Sequence, residues 1–180
     1  METKAGFAAA VERLRRRDAE SLAAFILSLA QDSGPIGDQV RTFIVGDDVG
    51  EAVESIGQRI RDLRTPSEYA HRHARGKEIG ASLEYVLDAI QTLVLPAEPR
   101  RAFELLVLFF EADGQAMENC GDHDFEVTSA FERAGQLMAQ AAKSVGKAEL
   151  ISTLERLLDD DGYGVRGALA EVIESLGKEG

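Results

Sequence analysis

AFELLVLFFEADGQAMENC, running from Ala102 to Cys120, is the stretch around which the rest of the chain has to be arranged. From Ala102 to Phe110 only Glu104 is polar. A helix that is apolar on every side has no face to give to water and is usually buried on every side. The pattern therefore places this helix at the centre of a helical domain. Pro99 opens it at the first helical position, where the missing N–H is not needed. The second half is polar and contains Gly114, so that end is expected to emerge toward solvent. One helix ending near Cys120 is expected.

Downstream, Val127, Phe131, Ala134, Met138, Ala141 and Val145 recur at spacings of 4, 3, 4, 3 and 4, the stripe of a long helix, with Gly146 as its C-cap. Leu150, Ile151, Leu154, Leu157 and Leu158 share one face of the next helix. DDDGYG, Asp159 to Gly164, is a tight acidic turn that caps the last helix, which buries Val165, Leu169, Val172, Ile173 and Leu176 and ends at Gly177. Upstream, LPAEP (95–99) is a stop and restart. Thr65, Pro66 and Glu68 form a capping box for a helix that runs to about Val94, with a kink or break expected at Gly76 and Gly80. Val49, Val53, Ile56, Ile60 and Leu63 make a single stripe behind an Asp47 or Asp48 cap. A short helix follows Pro35 and ends at Gly46. A helix from Ala19 to Gln31, capped by Asp18, is expected to bury Leu22, Phe25, Ile26, Leu29 and Ala30; another runs from about Thr3 to Arg17.

No alternating strand pattern is present. The fold class is all-α: eight to nine antiparallel helices joined by short links, stacked as a short irregular α-solenoid or helical-repeat-like bundle. No fixed repeat period is visible. Residues 1–180 are read as a single domain with a soft subdivision near 64–66.

The composition is that of a globular protein, with 44% hydrophobic and 29% charged residues. Its net charge of −12 is uneven. Residues 1–95 hold 12 basic and 15 acidic groups, whereas residues 96–180 hold 8 basic and 17 acidic groups. That balance opposes unspecific binding to nucleic acid or anionic membrane. One cysteine allows no internal disulfide and no cysteine-based zinc cluster. No apolar run approaches membrane-spanning length and the N-terminus lacks a signal-peptide core, so a cytoplasmic location is expected.

The densest chemistry lies at 118–124. Glu118, Cys120, Asp122, His123 and Asp124 offer sulfur, nitrogen and carboxylate ligands that a divalent cation can use. The spacing matches no recognised metal motif, and the plainer reading is a helix–helix corner with Asp122 or Asp124 capping. No catalytic residue, metal or cofactor is expected. His71 and His73 are two apart and lie on different helix faces, as surface histidines do. Arg59, Arg61, Arg64, Arg72, Arg75 and Lys77 make a basic region, 59–77, in an acidic chain; Asp62, Glu68 and Glu78 interleave it, as in a solvated helix face. No phosphate-binding glycine loop, dinucleotide fingerprint or nucleophile–base motif is present.

Leu105 to Ala142 resembles a bacterial domain of unknown function that occurs in the helical C-terminal regions of SWIM-type zinc-finger proteins. The residues that carry the resemblance are Leu105–Phe110, the junction Cys120-Gly121-Asp122-His123-Asp124, Glu126-Val127, Phe131 and the turn Leu157 to Val165. The zinc finger itself is absent, since it needs several cysteines. The resemblance implies an α-helical, repeat-like array in a bacterial cytoplasmic protein, and no catalytic residue.

The function expected from these features is a non-enzymatic protein–protein interaction or scaffold module. Its acidic C-terminal half would meet a basic protein partner through Glu118, Asp122, His123, Asp159, Asp160 and Tyr163. The alternative is a nucleic-acid-associated accessory factor using 59–77, and a third is a metal-dependent enzyme built on 118–124.

Overall fold

The computed structural model describes residues 11–30, 40, 48–63, 72–119 and 125–178. Helix is the regular structure of the described residues, and no strand occurs among them. Two compact units form, 1–44 and 45–180. The subdivision near 64–66, the capping box at Thr65 and the cluster 120–124 lie outside the described residues.

In the first unit residues 11–15 are helical and α1 spans Ala19–Ala30. Asp18 caps α1 as expected. Its carboxylate accepts the Ser21 N–H at 2.8 Å and the Ser21 hydroxyl at 2.8 Å. The expected buried face is not there: Phe25 is 59% exposed, while Leu22, Ile26 and Leu29 are half-buried.

The second unit contains α2 (Val49–Leu63), α3 (Arg72–Ala89), a π-helical turn (Ile90–Val94), α4 (Pro99–Phe110), α5 (Asp113–Asn119), α6 (Phe125–Ala141), a 3-10 turn (Ala142–Ser144), α7 (Lys147–Asp159) and α8 (Gly167–Lys178). Asp48 caps α2 through the N–H groups of Gly50 and Glu51.

The Ala102–Cys120 stretch is two helices instead of one. Glu111 closes α4 with its N–H on the Val107 carbonyl, and the Ala112 N–H reaches back only three residues, to Phe109. The chain restarts at Asp113, a carboxylate drawn into the structure by an arginine described below. Burial also differs around α4. Ala102, Phe103, Leu105, Leu106, Phe109 and Phe110 are buried, whereas Val107 and Leu108 are half-buried, so the helix hides most of its circumference but not all of it.

Helix α6 packs on α3, α4 and α8. Phe109, Phe110 and Phe131 meet where α4 crosses α6, with ring centroids 5.0 to 6.3 Å apart in tilted and edge-on arrangements. Small residues let the neighbours come close. A Cβ on Gly135 of α6 would stand 2.4 Å from the Ala168 Cβ of α8. A Cβ on Gly80 of α3 would stand 2.9 Å from the Glu126 Cβ of α6. Gly80 is thus a packing residue, and α3 runs through it without the expected break.

The helical irregularity upstream of α4 falls at 90–94. Pro96 has no N–H to continue the ladder, and the Leu95 N–H bonds to the Ile90 carbonyl, five residues back, at 2.8 Å. Gly146, expected as a C-cap, is the N-cap of α7. The preceding helix tightens into the 3-10 turn and ends at extended Val145.

Candidate functional site: the acidic end of helix α5 and the aspartate turn

Helix α5 and the turn that follows α7 lie far apart in sequence and meet in space. The tie is Arg166. Its Nε and Nη2 donate to the two oxygens of Asp113 at 2.6 and 2.7 Å, and its Nη1 donates to the Leu157 carbonyl at 2.7 Å. Both side chains are almost wholly covered, 3% and 5% exposed. Asp113 also accepts the Gly114 N–H at 2.6 Å. A buried charge without a partner is costly, and here the fork of the guanidinium matches the carboxylate bidentately. Burial works against the Arg166 charge; the hydrogen bonds and negative field of Asp113, with Asp160 and Asp161 behind it, outweigh this and raise its pKa above the ordinary arginine value.

The three aspartates of the turn have separate roles. Asp161 accepts backbone N–H groups from Gly164, Val165 and Arg166 at 2.8, 3.1 and 3.1 Å, which shapes the approach to α8. Gly164, at φ +72°, supplies the left-handed residue that the turn needs. Asp159 and Asp160 face solvent. Asp160 stands 4.0 Å from the Arg166 Nη1 with its own side chain 88% exposed, so the buried pair lies just beneath the surface.

Tyr163 connects the two segments on the outside. Its hydroxyl donates to Glu118 of α5 at 3.3 Å, and its ring lies over Gly114, where a Cβ would be 3.7 Å away. Glu118, Asp159, Asp160 and Tyr163, proposed from sequence as partner-facing, are all exposed, and Glu118 is brought to the turn by the Tyr163 contact. Asp122 and His123, and the metal candidates Cys120, Asp122, His123 and Asp124, lie outside the described residues. Among the described residues no group of three or more His, Cys, Asp or Glu is placed to hold a metal ion.

Residues 8–180 match the profile of DUF6880, described as a family of unknown function. The chain belongs to this family. No curated protein and no solved structure matches it. The family match covers α1 to α8 together, so the buried Asp113–Arg166 tie and the turn it anchors lie inside the family region.

Within the basic region, Arg59 is half-buried. Its Nη2 donates to Ser82 of α3 at 3.0 Å, and its guanidinium lies 5.9 Å from the Tyr85 ring centroid. Arg61 contacts Gln58 on its own helix. Arg64, His71 and the side chains of Arg72, His73, Arg75 and Lys77 lie outside the description. No helix of the described residues is long and apolar enough to cross a membrane.

The residues that sequence reasoning missed are Asp113 and Arg166. Asp113 stood in the polar half of a supposed single helix, and Arg166 is a lone base after an acidic run. Their 53-residue separation leaves no local signal.

Proposed function

We propose that the chain is a non-enzymatic helical interaction or scaffold module, its helices arranged as a short α-solenoid or repeat-like stack, working in the bacterial cytoplasm on a basic protein partner. The resemblance to the helical regions that accompany SWIM-type zinc fingers supports the same reading. The observation that carries it is the end formed by α5 and the aspartate turn. There Arg166 is held inward by Asp113 and Arg156 is paired with Glu111, while Glu118, Asp159 and Asp160 face water around Tyr163. A surface of one sign on a rigid support steers and orients a partner of the other sign.

The test is affinity capture from a cell lysate at low and high salt, with the wild type beside a Glu118→Gln/Asp159→Asn/Asp160→Asn variant. A protein held by the wild type, released by salt and not held by the variant is the expected outcome. Equal capture by both chains would sink the reading, and salt-sensitive capture of nucleic acid would favour the basic region 59–77 instead.

A further inference from the structure

A second acidic feature lies in the groove between α6 and α8. The groove has a volume of about 490 Å³. Its floor is the close crossing of Gly135 and Ala168, and its walls are Glu132 and Gln136 of α6 and Glu171 and Ser175 of α8. Lining residues on each helix extend over about two turns, or about 10 Å at 1.5 Å per residue. That length suits a docked helix offering side chains at i, i+4 and i+7.

The charges of the groove are unmatched from within. Glu132 and Glu171 form no ion pair or hydrogen bond through their side chains among the described residues. Arg133, adjacent to Glu132, points the other way: its guanidinium binds Glu84 and Asp88 of α3 and Gln91 of the π-helical turn. Arg166, five residues before Glu171, is held by Asp113. The other arginines of the C-terminal half are also engaged elsewhere: Arg100 with Glu104 and Glu149, Arg101 with Glu98 and Glu104, Arg156 with Glu111. The groove thus keeps two carboxylates on its rim over a floor of small residues. Such a floor lets a backbone approach closely, and the rim selects for positive charge.

We infer that this groove is the docking site for a basic amphipathic helix of a partner protein, a helix that lays a small-residue face on Gly135 and Ala168 and reaches Glu132 and Glu171 with arginine or lysine. This rests on the interaction-module reading above and gives it a second surface. An anionic lipid or nucleic acid is repelled by the same carboxylates.

The test uses the full chain and a fluorescein-labelled 20-residue helical peptide with arginines at i and i+4 on an alanine background, followed by anisotropy at low salt. The expected result is saturable binding that weakens at least tenfold in Glu132→Gln/Glu171→Gln. A comparable loss is expected in Ala139→Trp, which fills the groove from an exposed position of α6. Glu155→Gln, at an exposed position of α7, leaves binding unchanged, and circular dichroism shows all variants folded. Absence of binding to the wild type, or equal binding by the groove variants, overturns the proposal. Loss confined to Glu118→Gln/Asp160→Asn also overturns it, while leaving the interaction-module reading standing at the aspartate turn. A dimer by light scattering that Glu132→Gln/Glu171→Gln dissolves would give the groove to a second copy and overturn it as well.

Discussion

The Asp113–Arg166 pair shows how much can depend on two side chains. Each holds the other's charge where water hardly reaches, and Arg166 also takes the Leu157 carbonyl. Removing one partner leaves a buried charge exposed to its full desolvation cost. Asp113→Ala is therefore expected to destabilise the protein by about 3 kcal/mol, at the low end for a buried pair because this one lies just beneath the surface. Adding Arg166→Met should restore much of that loss, since neither charge then remains. Chemical denaturation of the single and double variants checks both, and a double variant as unstable as Asp113→Ala would mean that the guanidinium matters for packing more than for charge. Asp18 makes the opposite case at the surface. The Ser21 N–H and hydroxyl, bonded to its carboxylate, hold its pKa below the usual aspartate value. A depressed carboxylate stabilises the cap above the unfolded-state pKa of about 4, and the effect is lost as pH falls through the folded value. The Ser21 amide resonance should titrate with a midpoint below about 4 in an NMR pH series, and a midpoint at or above the free value would show that the cap does not form.

At the scale of elements, glycines separate what pattern can show from what it cannot. Gly114 and Gly135 are both helical and both look like weak points. Their neighbours differ. At Gly114 a Cβ would make an ordinary 3.7 Å contact with the Tyr163 ring, so Gly114→Ala should stabilise α5 by up to about 1 kcal/mol through helix propensity. At Gly135 a Cβ would sit 2.4 Å from that of Ala168, so Gly135→Ala must push α8 from α6 and should cost about 1–3 kcal/mol. Thermal melts of the two variants should move in opposite directions; a neutral Gly135→Ala would show that α8 shifts freely. The stripes of α2, α6 and α7 were legible because amphipathic spacing is a local property, and the Asp18 and Asp48 caps because a cap needs only neighbours in sequence. The break at Glu111–Ala112 was not legible: Asp113 starts a new helix in order to meet a residue 53 positions away. The π-helical turn was hidden for a related reason, since Pro96 announces a stop without saying how the ladder before it closes. Gly146 was placed on the wrong side of its boundary because a glycine between two helical stripes serves either as C-cap or as N-cap, and only its backbone angles (φ −61°, ψ 135°) decide. The candidate site was half legible. Acidity and a turn marked Asp159, Asp160 and Tyr163, but nothing local joined them to Glu118.

For the whole molecule, the apolar core is the place to ask what folds with what. It contains the Phe109, Phe110 and Phe131 ring cluster together with Leu83, Leu87, Leu106, Met138, Leu154 and Leu157, all buried. Among the described residues, every member of that core, including the half-buried ones packed against it, is numbered 49 or higher. In the first unit α1 is apolar on most sides yet keeps Phe25 and Leu27 more than half exposed, so its sequence promised a buried face that the chain does not bury. That promise misled because periodicity reports which residues would gain from burial, not what stands opposite them. The second unit is compact in itself and is expected to fold alone. A chain of residues 45–180 is expected to be helical, monomeric in dilute solution and cooperative in its thermal transition, with a midpoint within a few degrees of the full-length protein. Within it Phe109→Ala should cost about 3–5 kcal/mol, since it empties the ring cluster, and Leu106→Asp should prevent folding by placing an unpaired charge in the core. If 45–180 instead melts without cooperativity while the full chain melts sharply, residues 1–44 supply part of the core in solution. The exposed side of α1 would then be the first surface to probe, with Phe25→Ser in the full-length chain expected to reproduce the loss.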